Sequence, residues 1–283
     1  MATENHVGRF APSPTGPLHF GSVVAAAASY LSAKSDGGKW LLRIEDVDEG
    51  RTEPGSTSSI IRTIEELGME WDGEILFQSE RKDSYRDALE RIRHATYPCS
   101  CSRRQIDGIY GGKCRNGTKG EARSTRVRVA DETVSFVDMI RGSCAQNLER
   151  EVGDFVLFRA DGYFSYQLAV VVDDHEQGVN QVVRGADLID STPRQIYLQR
   201  LLGYETPFYA HLPLALNEHG DKLSKQNLAA PAEPGIDVLF DAVEFLGQEP
   251  PAELKEGTIR EFWKWALQHW KIEKIPKKDR CWK

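Results

Sequence analysis

The sequence predicts an α/β protein of parallel βαβ units, interrupted by a polar insertion and followed by a short helical C-terminal region. Three observations carry that expectation. Short apolar runs alternate with longer segments of helical period. The alternation stops between Cys99 and about Arg150, where short pieces rich in Cys and Arg take over, and beyond about Pro231 the chain reads helical, including "EFWKWALQHW". At 283 residues the chain exceeds what one compact unit usually needs. The expected division is therefore 1–98 and 151–232 as two halves of one α/β unit, 99–150 as an insertion and 233–283 as the helical appendage.

Taken in order, "GRFAP" reads as a strand stopped by Pro12 and Pro14, and Val23 to Ser35 as a buried, alanine-rich helix ended by Gly37 and Gly38. "KWLLRIED" is the next strand. "STSSIIRTIEELG" opens on serine and threonine and closes on Gly68, while "SERKDSYRDALERIRHATYP" places Tyr85, Ala88, Leu89 and Ile92 on one helical face. After the insertion, "DFVLF" and "NQVVRG" read as strands. "STPRQIYLQRLLG" is a helix with a serine or threonine cap, Pro193 in its first turn and Gly203 at its end.

No apolar stretch reaches the roughly 18 residues of a membrane span, and "MATENHVGRF" lacks a signal-peptide core, so a soluble cytoplasmic protein with no membrane partner is expected. Five cysteines, three of them between Cys99 and Cys114, suit a metal in a reducing compartment better than a disulfide framework. The net charge of −7 hides local asymmetry. Cys99 to Arg128 carries eight basic against two acidic residues, and Lys271 to Lys283 carries six against two together with Trp282. Such mixtures suit nucleic-acid phosphates and base stacking.

The motifs that carry chemistry lie at the ends of the predicted strands. "APSPTGPLHFGS", Ala11 to Ser22, breaks the chain just before a helix, which leaves free backbone N–H groups and a dipole suited to phosphate. Gly21 permits close approach, and His19 is a hydrogen-bond donor. About two hundred residues later "DKLSKQ" supplies a lysine-bearing loop with Lys222 and Lys225. Arg9 and Arg184 are forks for carboxylates, and Glu45 is a partner for an ammonium. Asp173, Asp174 and His175 follow an apolar run and read as a turn or cap, outside the catalytic set. Cys99, Cys101 and Cys114 offer three thiolates for a tetrahedral metal, with Cys144 available as a fourth ligand.

"HFGS" and "KLSKQ" resemble the HIGH and KMSKS signatures of class I aminoacyl-tRNA synthetases, with Ser22 and Gln226 departing from the general pattern. "RFAPSPTGPLHFGS", "LLRIEDVD", "AVVVDDHEQG" and "VVRGADLIDSTPRQIYL" further resemble glutamyl-tRNA synthetases from Gly8 to about Pro231. About fifty residues remain after Pro231, too few for an anticodon-reading half. With "CSC" and "YGGKC" in the insertion, the chain is similar to the glutamyl-queuosine tRNA(Asp) synthetase family. That resemblance implies a Rossmann-like catalytic domain, a zinc-binding insertion, and a ligase that activates L-glutamate with ATP and Mg²⁺ without tRNA. It then implies transfer of the glutamyl group to the queuosine base of tRNA(Asp), with no obligate protein partner.

The same resemblance implies a glutamate pocket of Arg9, Ala11, Ser13, Glu45, Tyr166 and Arg184. It also implies an ATP site of His19, Gly21, Ser22, Lys222 and Lys225, with His19 and Lys225 catalytic, and one structural zinc on Cys99, Cys101, Tyr110 and Cys114. Two alternatives remain open at this point. One is a short glutamyl-tRNA synthetase that charges a tRNA 3′ end. The other is a non-catalytic synthetase relative that binds RNA.

Overall fold

The computed structural model describes residues 6–217, 219 and 231–282, and Lys222, Lys225 and the rest of the "DKLSKQ" loop lie outside them. Strands β1 (Val7–Phe10), β2 (Lys39–Ile44) and β3 (Leu76–Phe77) are parallel neighbours in the order β1-β2-β3. Helix α1 (Phe20–Lys34) links β1 to β2. Helices α2 (Ser56–Glu66) and α3 (Lys82–Arg91) follow, and the stripe expected on α3 points inward, with Tyr85, Ala88 and Ile92 buried.

Strands β4 (Thr96–Cys99), β5 (Ser124–Val127) and β8 (Val156–Phe158) make a separate antiparallel sheet ordered β4-β5-β8. Between them in sequence, β6 (Thr133–Asp138) and β7 (Gly142–Asn147) form a hairpin, and the short helix α4 (Leu148–Glu151) follows. The hairpin joins β9 (Gln181–Gly185) and β10 (Phe208–Leu212) in a second sheet ordered β7-β6-β10-β9, in which β6, β10 and β9 are parallel. The two larger sheets meet at β1 and β9, where the Asn180 N–H donates to the Val7 carbonyl at 3.1 Å. Parallel strands with crossover helices are what the alternating pattern requires.

Helix α1 lies across this junction. Gly8 permits the close approach: a Cβ there would stand 3.2 Å from the Ala33 Cβ. Small residues Ala26 to Ala28 and the larger Val23, Val24 and Leu31 are buried in a core shared with α7 (Ile236–Phe245) and α8 (Ile259–His269). Helix α8 starts with a capping box between Thr258 and Glu261. Helix α6 (Thr192–Leu202) has Pro193 in its first turn and Gly203 at φ +71 at its end, as expected. Its expected hydroxyl cap is absent. A 3₁₀ turn, Ala186–Ser191, runs straight into the helix, and the Ser191 hydroxyl accepts from Gln167 instead.

Helix α5 (Tyr166–Glu176) corrects the turn reading of Asp173 and Asp174. Ser165 caps its start, and both aspartates lie in its last turn with their side chains buried among arginines. Among the described residues no helix is long and apolar enough to cross a membrane. Beyond α6 and β10, the chain adds β11 (Ala215–Leu216) and, after α8, the parallel partner β12 (Arg280–Cys281).

Candidate active site

A cleft of about 670 Å³ opens where β1, β2 and β9 end beside the N-terminus of α1. Ligands in open α/β sheets bind outside the carboxyl ends of the strands, and this cleft obeys that rule. Arg9, Ala11, Ser13, His19, Gly21, Ser22, Glu45, Tyr166 and Arg184, widely separated in sequence, all line it. At one side His19 is the N-cap of α1, in extended conformation, and its carbonyl accepts from Ser22 and Val23. The His19 side chain does not cap this helix and no acidic residue sits in its first turn, so the positive end of its dipole faces the cleft as a seat for an anion.

The opposite side is held by a buried charge network. Arg9 Nε donates to Asp174 Oδ1 at 3.1 Å, and Arg43 donates to the same oxygen at 2.6 Å. Arg43 also reaches Glu45 at 3.4 Å and Gln177 at 2.8 Å. Burial works against the Asp174 charge, but Arg9 and Arg43 hold its carboxyl below the usual range. Glu45 is different. Burial pushes it up to about 7 despite Arg43 and Arg9, so it is short of positive charge at neutral pH. Asp173 serves as an anchor for the neighbouring elements, accepting from Gln78, Arg81 and Tyr85 at 2.6 to 2.8 Å.

Arg184 contrasts with Arg9. It is buried, yet its partners are all uncharged: Thr192 Oγ1 at 2.9 Å, Gln195 Oε1 at 2.8 Å, Tyr166 Oη at 3.3 Å and His211 Nε2 at 3.1 Å. Because Arg184 Nε is a donor, His211 Nε2 accepts. The Nδ1–H of His211 then donates to Asp138 Oδ2 at 2.6 Å, and burial lowers the imidazole pKa, which keeps the ring neutral. Burial works against the Asp138 charge, but the hydrogen bond from His211 and the backbone N–H groups of Arg141 and Ile140 hold its carboxyl below the usual range. Asp138 and His211 thus aim Arg184 without neutralising it by direct contact. Sequence reading missed Asp138, His211, Arg43 and the role of Asp174, because partners 27 to 165 residues apart leave no local pattern.

The cysteine insertion brings Cys99, Cys101 and Cys114 together, with all three Sγ atoms within 4.8 Å of one another. Tyr110 Oη lies 3.3 Å from Cys99 Sγ and 3.8 Å from Cys101 Sγ, and Cys101 and Cys114 are 3.6 Å apart. A tetrahedral zinc with bonds of ~2.3 Å to sulfur has edges of ~3.8 Å between sulfurs, so the spacing fits that ion. The donor chemistry fits too. The Tyr110 hydrogen bond draws the Cys114 thiol down to about 6, toward the thiolate that a metal requires. The Tyr110 phenol itself is pushed up by burial and by its bonds to the cysteines in this metal-free arrangement. Cys144 is not part of the cluster: it sits on β7 and donates to the Gly142 carbonyl.

Around the thiols, Arg115 pairs with the buried Asp154 at 2.6 Å, and Tyr97 donates to the same carboxylate. Arg126 lies 4.0 Å over the Tyr110 ring and donates to the Asp154 carbonyl at 2.6 Å. Two of the basic residues counted for an RNA surface are therefore structural. Arg104, Lys113, Lys119, Arg123 and Arg128 remain exposed.

The fold and the cleft define a class I aminoacyl-tRNA synthetase catalytic domain: the family described as "tRNA synthetases class I (E and Q), catalytic domain" matches residues 6–117 and 111–234. A glutamate–tRNA synthetase from Elizabethkingia anophelis superposes over 99% of this chain and 68% of its own, with a TM-score of 0.81 at 27% identity. The Glutamyl-Q tRNA(Asp) synthetase of Aromatoleum aromaticum is 53% identical over 98% of this chain and 92% of its own length. That of Dechloromonas aromatica is 51% identical over 96% of each. The chain belongs to the glutamyl-Q tRNA(Asp) synthetase family.

Proposed function

We propose that the cleft activates L-glutamate with ATP, without tRNA, and passes the glutamyl group to the queuosine base of tRNA(Asp). The observation that carries the specificity is Arg184, a buried guanidinium in the cleft with no carboxylate partner among the described residues. A carboxylate from the substrate completes it, and a neutral amide does not. In this reading Arg9 and Arg184 hold the glutamate carboxylates, Ala11, Ser13 and Tyr166 shape the pocket, and Glu45 takes the ammonium.

The α-carboxylate oxygen then attacks the α-phosphorus of ATP and pyrophosphate leaves. His19 and the open end of α1, with Gly21 and Ser22, face the phosphates, and Lys222 and Lys225 from the adjoining loop complete their neutralisation. Mg²⁺ accompanying ATP supplies further charge screening. In the second step a cyclopentenediol hydroxyl of queuosine attacks the glutamyl carbonyl carbon, its proton is lost and AMP leaves. An anticodon loop suits such a cleft because its bases can be splayed outward, and the exposed cations of the insertion suit its phosphates.

One zinc on Cys99, Cys101, Cys114 and Tyr110 would fix the insertion and take no part in either step. The residue spans 1–98, 99–150, 151–232 and 233–283 are proposed as its functional units, and the cytoplasm as its place of action.

The test is pyrophosphate exchange with purified protein, ATP, Mg²⁺ and glutamate, followed by acylation of a minimal RNA. Exchange without tRNA and poor replacement by glutamine are expected. An anticodon stem-loop with queuosine should be glutamylated without a 3′ CCA end, and one with guanosine should not. Acylation only at a tRNA 3′ terminal ribose would move the chain to the glutamyl-tRNA synthetase reading. Absence of exchange with any RNA would leave the binding-module reading.

A further inference from the structure

The segment from Lys277 to Trp282 lies beyond the span matched by the synthetase family and has no part in the chemistry above, yet it is built onto the wall of the cleft. β12 pairs in parallel with β11, Arg280 opposite Ala215 and Cys281 opposite Leu216. The Arg280 N–H donates to the Leu214 carbonyl at 3.1 Å and the Trp282 N–H to the Leu216 carbonyl at 2.8 Å. Leu214 returns its own N–H to Asp279 Oδ1 at 3.0 Å. Leu214 and Ala215 line the cleft, so this short sheet forms its backing.

Arg141 ties the segment to the strand that carries His211. It donates to Asp279 at 2.6 Å and to the Lys277 carbonyl at 2.8 Å, and also to the carbonyls of His211 and Leu212 at 3.1 and 3.2 Å. At the far end the Trp282 ring stacks on Phe20, with centroids 5.4 Å apart and planes 6° from parallel. Both rings meet Phe245 edge-on. Phe20 is the first residue of α1 and follows His19 directly. On the other side of His19, the Leu18 carbonyl accepts from the Ala232 N–H at 2.8 Å.

We propose that Lys277–Trp282 is a positioning strap for the phosphate side of the cleft, with Asp279 and Trp282 as its two anchors. A helix terminus is less secured by its own hydrogen bonds than the helix interior, and an N-terminus serves an anion best when its first turn is held in place. Here the holding is done from outside the turn. Trp282 fixes Phe20 beside His19, while Asp279 and Arg141 fix Leu214 on the facing wall. Neither anchor touches the glutamate side, where Arg9, Glu45 and Arg184 have their own buried partners. The Trp282 anchor therefore acts on the ATP side alone, whereas Asp279 also bears, through Arg141, on the strand that carries His211.

The inference rests on the proposed assignment of the His19 side to ATP. In the full chain, Trp282→Ala and Asp279→Ala are each assayed by tRNA-independent pyrophosphate exchange, with KM measured for both substrates. The expected result for Trp282→Ala is a KM for ATP raised about tenfold, a KM for glutamate unchanged, and recovery of the ATP value in Trp282→Phe, which keeps a stacking ring; for Asp279→Ala it is a rise in the KM for ATP that exceeds any change for glutamate. Equal changes in the two KM values, a lowered melting temperature with both KM values intact, or a Trp282→Phe variant as impaired as Trp282→Ala would each overturn the strap. Should Trp282→Ala fail to fold, Asp279→Ala decides the matter from the other anchor. A wild-type chain that exchanges no pyrophosphate refutes the proposed function itself, whereas an active wild type with an unaltered variant refutes only the strap.

Discussion

Arg9 and Arg184 reach the cleft from a framework whose apolar core extends from Phe10 in β1 to Ile275 after α8, whereas Cys99, Tyr110 and Cys114, with the half-buried Cys101, sit in a small cluster to which Tyr97 alone adds a further buried side chain among the described residues. The first region can bury charge because the surrounding strands and helices are fixed by hydrophobic burial. The insertion cannot rely on burial. It is held by Arg115 and Tyr97 on Asp154, by Arg126 over Tyr110, and by four donor atoms spaced for one metal ion. One region is organised by burial alone, and in the proposed zinc reading the other gains its order from the metal.

The sharpest way to break this contrast is to remove the metal. Metal analysis should find about one zinc per chain. Cys101→Ser, or a strong chelator, should release it and expose 99–128 to proteolysis, while tRNA-independent exchange stays close to wild type. Full metal occupancy in Cys101→Ser, or loss of the α/β core together with the insertion, would show that the two regions are held alike.

Among substitutions aimed at the activation step, the largest expected effect comes from Lys225, which lies outside the described residues. Lys225→Ala should slow activation by roughly a hundredfold with glutamate binding nearly intact, and Lys222→Ala should be milder. Stopped-flow or exchange kinetics with glutamate titrations check the split, and a matching loss of glutamate affinity would show that the loop does other work. His211→Asn should raise the KM for glutamate about tenfold, the worth of one charge-assisted hydrogen bond, and leave the KM for ATP and the zinc content unchanged. An unaltered glutamate KM would mean that Arg184 is aimed by Thr192 and Gln195 without His211.

The smallest effect concerns Glu45, whose pKa stands near 7. In the proposed assignment its ionised form holds the substrate ammonium, and that form grows as pH rises through 7. The KM for glutamate should therefore fall by a few-fold between about pH 6 and pH 8, with a proton released on binding. The dependence should vanish in Glu45→Gln. A glutamate KM that rises with pH, or a dependence unchanged in Glu45→Gln, would contradict the assignment.

Much of the fold and part of the site were legible in the sequence because they depend on neighbours along the chain. Apolar period places α1, α3 and α6, Gly203 ends a helix in a left-handed conformation, and prolines and glycines before α1 mark an open helix end. The crowding of Cys99, Cys101 and Cys114 marks a candidate metal site, and the fold brings the three thiols together. The tertiary structure decided what charge does once it is buried. Asp173 and Asp174 look like turn residues until α5 turns them toward Arg81, Arg9 and Arg43, and nothing local marks His211 until the fold sets it between Asp138 and Arg184. Likewise the hairpin β6–β7, read as insertion, pairs with β10. Local propensity acts over a few residues and is written in consecutive side chains, whereas ion pairs and strand partners in a parallel sheet join segments a hundred residues apart, where only the folded chain chooses which groups must share a site from which water is excluded.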